Sequence, residues 1–481
     1  MLPAHSPDRP IRSRIVAITL AVAAAALAVC ALIVWSNPLA PVLLIAGALG
    51  AAGSLVLLQY PLATCYLAAF LTLWPFGARP ADADIVYTVA VNGALALALA
   101  SLLLQSLQGR QELRLTASCA AMGLFITWAL VTVFWASDLV EARKTLVSFT
   151  SGLILLFVLT NQTRTPQTID RFMTVLRLLG WLLIGAGVFA LLEKGYQSGT
   201  RLKVMSMNEN EFGLVVIATV PGVLWPVMRR QGLRRLVDMA LSFVFLIAAL
   251  ILIALTGSRG SSVSLLLVML SFLFSRPLRP WGASSLIVLL LMLTAAPLVL
   301  TSVVSRFADH DGGEFGGRDL LWRAGLTLLA DAPWTGVGIG NGPFKLHNYI
   351  AALTNEFNKR VDLPTHNPLL EVGVDTGVIG LCLYAAASIA AFRQFFGATA
   401  RANLRAHGLV GYFPLVLGIA IGYYSSWIKG GGVESHPSFF AILALLQFPS
   451  QLVAMARPTV LRSEERRVHS GDWIPEGNVH A

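Results

Sequence analysis

Residues 236–275 read LVDMALSFVFLIAALILIALTGSRGSSVSLLLVMLSFLFS. Two apolar runs, 236–256 and 261–275, flank a short turn of small residues that holds one charge, Arg259. A stretch of about 20 apolar residues is the length that crosses a bilayer as a helix. The pattern is therefore a helical hairpin in a membrane, and the rest of the chain repeats it. Of 481 residues, 56 % are hydrophobic and only 12 % charged, with a mean hydropathy of +0.71. Soluble domains carry about 25 % charged residues. A water-soluble globule this apolar would expose large greasy patches. The composition excludes a soluble enzyme, a secreted disulfide scaffold and a disordered protein. It predicts an all-α polytopic membrane protein.

Working outward, apolar stretches recur near 15–35, 39–58, 62–77, 86–106, 117–136, 144–161, 172–193, 211–228, 236–256, 261–275, 283–302, 367–392, 408–427 and 437–455. That makes fourteen transmembrane helices. The stretches 62–77 and 261–275 are short, so twelve spans is the alternative. The net charge of +10 is first a topology signal in such a chain. Arginines gather on alternate connections, at 9–14, at 229–235, at 393–405 and at 457–467. Positive charge stays on the cytoplasmic side, which puts both termini inside and the one long hydrophilic loop outside. The expected layout is N-terminal transmembrane helices over 1–302, an outer loop with amphipathic helices over 303–366, C-terminal transmembrane helices over 367–456 and a cytoplasmic tail over 457–481. Cys30, Cys65, Cys119 and Cys382 all lie in apolar stretches without a metal-binding spacing and read as packing residues.

Within the loop, GGRDLLWRAGLTLLADAP (316–333) has apolar residues at helical spacing and a terminating proline. WTGVGIGNGP (334–343) is a glycine-rich turn, and 344–360 returns to helical spacing. These predict two amphipathic helices on the membrane surface or over a cavity.

Four features could carry chemistry. THNPLLEVGVDTGVIG (365–380) puts His366 at the loop's end, facing outside, where an imidazole can take a proton from a hydroxyl. Asn367 before Pro368 reads as a helix N-cap, which would hold His366 rigidly. Arg259 sits in its turn among small residues that let a ligand approach, and a guanidinium grips phosphate in two places. A snorkelling boundary arginine is the plain alternative. Arg318, Arg201 and Lys203 are further outside cations, with Arg323 on the first loop helix, and together they suggest an anionic ligand. MNENE (207–211) supplies Asn208 and neighbouring amides and carboxylates that either bind sugar hydroxyls or cap the next helix. The pairs Asp82/Asp84 and Asp309/Asp311 fall far short of a metal's coordination shell, so no metal is expected.

These residues resemble the bacterial O-antigen ligase and O-antigen polymerase superfamily. The carriers are GSRG (257–260), GRDLLW (317–322), PWTGVGIGNGPF (333–344) and HNPLLEVGVDTGVIG (366–380). The ligase branch has His-Asn, nine residues, then Gly-x-x-Gly; here Gly377 and Gly380 follow His366 and Asn367 at that spacing. The resemblance implies a GT-C-like fold in the Gram-negative inner membrane with a periplasmic active site. It implies transfer of an O-antigen chain from undecaprenyl pyrophosphate to the lipid A–core oligosaccharide, with inversion and with no cofactor, ATP or metal. The family's essential histidine and arginines map onto His366, Arg259 and Arg318, and less directly onto Arg201.

The rival enzyme readings are an O-antigen polymerase, for which Arg306 and Gly317 have the right spacing, and a protein O-oligosaccharyltransferase. A lipid-linked sugar transporter is the reading from another class. Against it, charged residues within the spans are sparse: Arg177 can snorkel to the cytoplasmic side, and no acidic residue was expected at mid-depth.

Overall fold

The computed structural model describes residues 53–54, 57–74, 81–194, 201–204, 207, 209–295, 318–354, 364–428 and 437–453. The expected span 15–35, most of 39–58, the segment 303–317 and the tail from 457 lie outside the described residues.

Among the described residues every regular element of the chain is a helix. Its elements are α1 (Pro61–Leu73), α2 (Ala81–Leu107), α3 (Ala117–Thr132), α4 (Leu139–Gln162), α5 (Pro166–Lys194), α6 (Glu209–Arg229), α7 (Gly232–Thr256), α8 (Arg259–Leu273), α9 (Arg279–Ala295), α10 (Arg318–Asp331), α11 (Gly342–Thr354), α12 (Pro368–Phe396), α13 (Ala398–Ala406), α14 (Tyr412–Trp427) and α15 (Pro437–Gln451). Seven of them (α2 to α7 and α12) contain a stretch long and apolar enough to cross a bilayer. The chain is a multi-pass, all-α membrane protein. α1, α8 and α9 are shorter apolar helices. At 1.5 Å per residue the 15 residues of α8 reach only about 22 Å.

α6 is the hub. Of its apolar window, 83 % is buried, against about half or less in most other spans. It packs against α5, α7 and α14, with α8 and α15 alongside. α12 lies along α3 and against α15. At one end of the bundle, buried Asp238 of α7 is gripped by Arg177 of α5 and Arg230, each at 2.9 Å. Arg177 thus makes an ion pair within the protein rather than snorkelling: a buried carboxylate needs a partner more than a half-buried arginine needs lipid headgroups.

Two details depart from expectation. The connection after α12 contains a nine-residue helix, α13, which buries Ala400 and Leu404. Cys65 and Cys119 are buried packing residues, whereas Cys382 is exposed on the surface of the bundle.

At the opposite end from Asp238, α10, α11 and the start of α12 share a small core of their own. It holds Leu321, Ala324, Leu328, Leu346 and Val374. The Tyr349 hydroxyl of α11 donates to Asp331 at the end of α10. The two expected loop helices therefore form, over 318–331 and 342–354, and dock on α12. Residues 355–360 of the second lie outside the described residues.

Candidate active site

α12 is broken near its start, and the break explains the glycine-rich segment. Gly377 has φ 70° and ψ −176°, a conformation open to glycine and strained for other residues. The kink frees the carbonyls of Val374 and Asp375, and the backbone of the preceding loop takes them. Val337 N donates to Val374 O and Gly338 N to Asp375 O, each at 2.9 Å, while Val378 N donates back to Pro333 O at 2.7 Å. The Asp375 carboxylate, 4 % exposed, accepts from Gly340 N and Gly342 N at 2.7 Å each. Asn341 is fully buried; its side chain accepts from Asp138 N at 2.7 Å and donates to Asp138 O at 3.1 Å, tying the loop to the start of α4. Gly338, at φ 99°, is so close to Ala136 that a Cβ would sit 2.6 Å from its Cα. WTGVGIGNGP is a bracket that fixes the head of α12.

That head carries His366. Asn367 caps α12 by accepting from Leu369 N and Leu370 N at 3.1 and 3.2 Å. Thr365 is buried, and its hydroxyl donates to Asn367 O at 3.0 Å. Between them His366 stands at φ 54°, the one non-glycine residue with positive φ among the described residues. Such a conformation is worth explaining by what surrounds it. From α10, the Trp322 indole N–H donates to Thr365 O at 3.1 Å.

Arg318 and Trp322 are four apart and share a face of α10. The face that fixes the backbone beside His366 therefore also carries the arginine. Burial, and then the charge of Arg318, push the His366 imidazole below its ordinary pKa of 6.5. Its Nδ1 is buried without a hydrogen-bond partner. Burial, then Arg259 and Arg201, likewise push Arg318 down. Arg259 begins α8, just after the left-handed Gly257 and the N-cap Ser258. Arg201 lies in the extended segment 201–204, paired to the end of α7 through Leu202 N to Leu255 O; its Nε donates to Thr256 O at 3.1 Å. Four sites spread over 166 positions of sequence thus meet at one end of the bundle, with the Arg318 guanidinium in the field of both Arg259 and Arg201. Like charges held this way repel, and an anion among them relieves the repulsion.

The remaining expected site residues are placed differently. Asn367 spends its side-chain oxygen on the cap. Lys203 and Arg323 are exposed. Asn208 lies outside the described residues; its neighbour Asn210 accepts from the Ser258 hydroxyl, next to Arg259. Among the described residues no group of three or more His, Cys, Asp or Glu side chains is arranged to hold a metal. The supporting residues Trp322, Asn341 and Asp375 were not singled out in the sequence. The signal for Asp375 was an acid inside an apolar stretch. It and Glu371, also 4 % exposed, are buried acids in the first turns of α12, above mid-depth.

Residues 243–385 match the family model described as O-antigen ligase. The match covers this segment of the chain, which carries the O-antigen ligase domain. The matched ligase domain runs from within α7 through the first half of α12, and so contains Arg259, Arg318, the glycine bracket and His366. Arg201 lies outside the matched segment. No curated protein matches the chain.

Proposed function

We propose that this chain is an O-antigen ligase, a glycosyltransferase of lipopolysaccharide biosynthesis in the Gram-negative inner membrane. It moves O-antigen polysaccharide from undecaprenyl pyrophosphate to the lipid A–core oligosaccharide at the periplasmic face, with both termini cytoplasmic. The observation that carries this reading is the convergence of Arg259 and Arg318 of the matched ligase domain, with Arg201 from outside it, near His366 of the same domain.

In this mechanism the arginines hold the donor's pyrophosphate. His366 accepts the proton of an acceptor sugar hydroxyl. The hydroxyl oxygen attacks the anomeric carbon from the face opposite the pyrophosphate, and the bond from that carbon to the pyrophosphate oxygen breaks. The departing oxygen takes the electron pair, and the guanidinium groups stabilise the charge that develops there. One displacement inverts the anomeric centre, and the arginines supply the charge that a metal would otherwise bring. The depressed pKa of His366 keeps it unprotonated and ready as base at neutral pH. The loop helices α10 and α11 cover the site and limit access of water, the competing nucleophile.

The test is a lipopolysaccharide gel on a strain lacking the gene. Rough lipopolysaccharide with full-length polymer accumulating on the carrier supports the ligase. Core bearing a single repeat unit assigns a polymerase instead. An unchanged ladder overturns both and leaves protein glycosylation by the same superfamily. Complementation with His366→Ala should leave the rough pattern, at normal protein level.

A further inference from the structure

A cavity of about 530 Å³ lies between α2, α3 and α4, apart from the arginine cluster. Its walls are apolar: Leu95 from α2, Leu130 from α3, Leu146 and Ile154 from α4. Leu130 is 59 % exposed, so the groove opens sideways on the surface that the bilayer covers. One end holds Arg143. Asn92 and Ser151 also line the groove, further along the wall, and the Ser151 hydroxyl donates to the Asn92 side chain at 2.6 Å.

Arg143 is exposed, and among the described residues no ion pair or hydrogen bond involves it. Its neighbour Lys144, by contrast, pairs with Glu141. The position of the unused cation is informative. Asp138 caps α4 and is hydrogen-bonded to the glycine bracket, so α4 begins at the His366 end. Arg143 lies about 7 Å along the helix from that cap. From Arg143 to Ile154 is eleven residues, about 16 Å of helix. The hydrocarbon of one leaflet is about 15 Å thick, half the usual core. A free cation at headgroup depth followed by a mostly apolar wall about one leaflet long is the order of groups along a single phospholipid.

We propose that this groove is a specific site for an anionic glycerophospholipid of the leaflet at the His366 end. Its phosphate sits on Arg143 and one acyl chain lies along Leu146, Val147 and Ile154. The first turns of α4 also support the glycine bracket: a Cβ on Gly340 would meet Thr145 Oγ1 at 2.6 Å and Glu141 O at 2.8 Å. The lipid therefore fills the outer side of a helix whose inner side holds the active-site scaffold.

The full chain, purified in mild detergent and reconstituted into nanodiscs, is examined by native mass spectrometry with phosphatidylglycerol or phosphatidylcholine. The wild-type protein should retain one phosphatidylglycerol after release. Arg143→Gln should lower that occupancy about tenfold, the size of one lost charge-assisted contact. Val147→Trp, which fills the groove from an exposed position, should abolish retention, and Lys144→Gln should leave it intact. Equal retention in wild type, Arg143→Gln and Val147→Trp overturns the proposal. So does equal retention of phosphatidylcholine by the wild type, which means an unselective annular lipid. Displacement of phosphatidylglycerol by an equimolar polyprenyl phosphate also overturns it and gives the groove to the carrier. None of these outcomes depends on the ligase reading.

Discussion

The indole N–H of Trp322 donates to the carbonyl of Thr365 at 3.1 Å, one turn of α10 from Arg318. One helical face thus sets the backbone that carries His366 and delivers the cation beside it. Trp322→Phe keeps the ring and removes the donor. Transfer should fall about tenfold, the worth of roughly one hydrogen bond expressed in positioning. The acid limb of the pH–rate profile should keep its midpoint, because Arg318 remains. A shifted midpoint with an unchanged rate would contradict the positioning role.

Arg318 adds to burial in lowering the pKa of His366. The imidazole pKa lies below 6.5, and a base must be unprotonated to act. Activity should therefore rise with pH along a limb centred below 6.5 and then level off. Arg318→Gln removes the neighbouring charge but not the burial, so the midpoint should move up toward 6.5. The rate should also fall about 10²-fold or more through loss of charge stabilisation. A pH–rate profile of the residual activity checks both. A midpoint that stays put or moves down would show that Arg318 does not act on His366.

Asp375 holds the glycine bracket through two charge-assisted bonds to Gly340 and Gly342. Each such bond is worth about 1.5–3 kcal/mol. Asp375→Ala should cost about 3 kcal/mol or more in unfolding free energy. Asp375→Asn should cost less, since one oxygen still accepts while the amide group meets an N–H. Hydrogen exchange at Gly340 and Gly342 should accelerate in both variants. Wild-type exchange rates at these amides would refute the bracket.

Tyr384 is wholly buried, and its hydroxyl has no partner. Its ring stacks on Phe439 with centroids 5.3 Å apart and on Trp427 at 6.1 Å. Tyr384→Phe keeps the stack and deletes the unpaired group. The melting temperature in detergent should hold or rise, by up to about 1 kcal/mol of stability. A clear loss of stability would mean that a buried water bonds the hydroxyl.

Much of this protein could be read from one dimension. Apolar runs of membrane-spanning length dictate helices, because backbone polar groups in lipid must bond within their own segment. Every expected span that falls within the described residues contains a helix, and Asn367 caps α12 as its place before Pro368 suggested. The individual members of the candidate site were also visible as candidates: a histidine at a span boundary and an arginine in a turn of small residues stand out where charge is costly.

Their assembly was not legible. Arg201, Arg259, Arg318 and His366 come from separate segments, and no local pattern encodes the packing of α10 on α12 that unites them. The glycine-rich segment looked like a turn; only the kink at Gly377 shows that it feeds hydrogen bonds to carbonyls the broken helix cannot satisfy. Arg177 looked like a residue reaching for lipid, yet buried Asp238, distant in sequence, claims it. The sequence by itself determined which segments enter the membrane, because transfer of a helix into lipid depends on its own composition. Which charges meet was decided by tertiary structure alone, because electrostatic interactions act across space between segments that the chain keeps far apart.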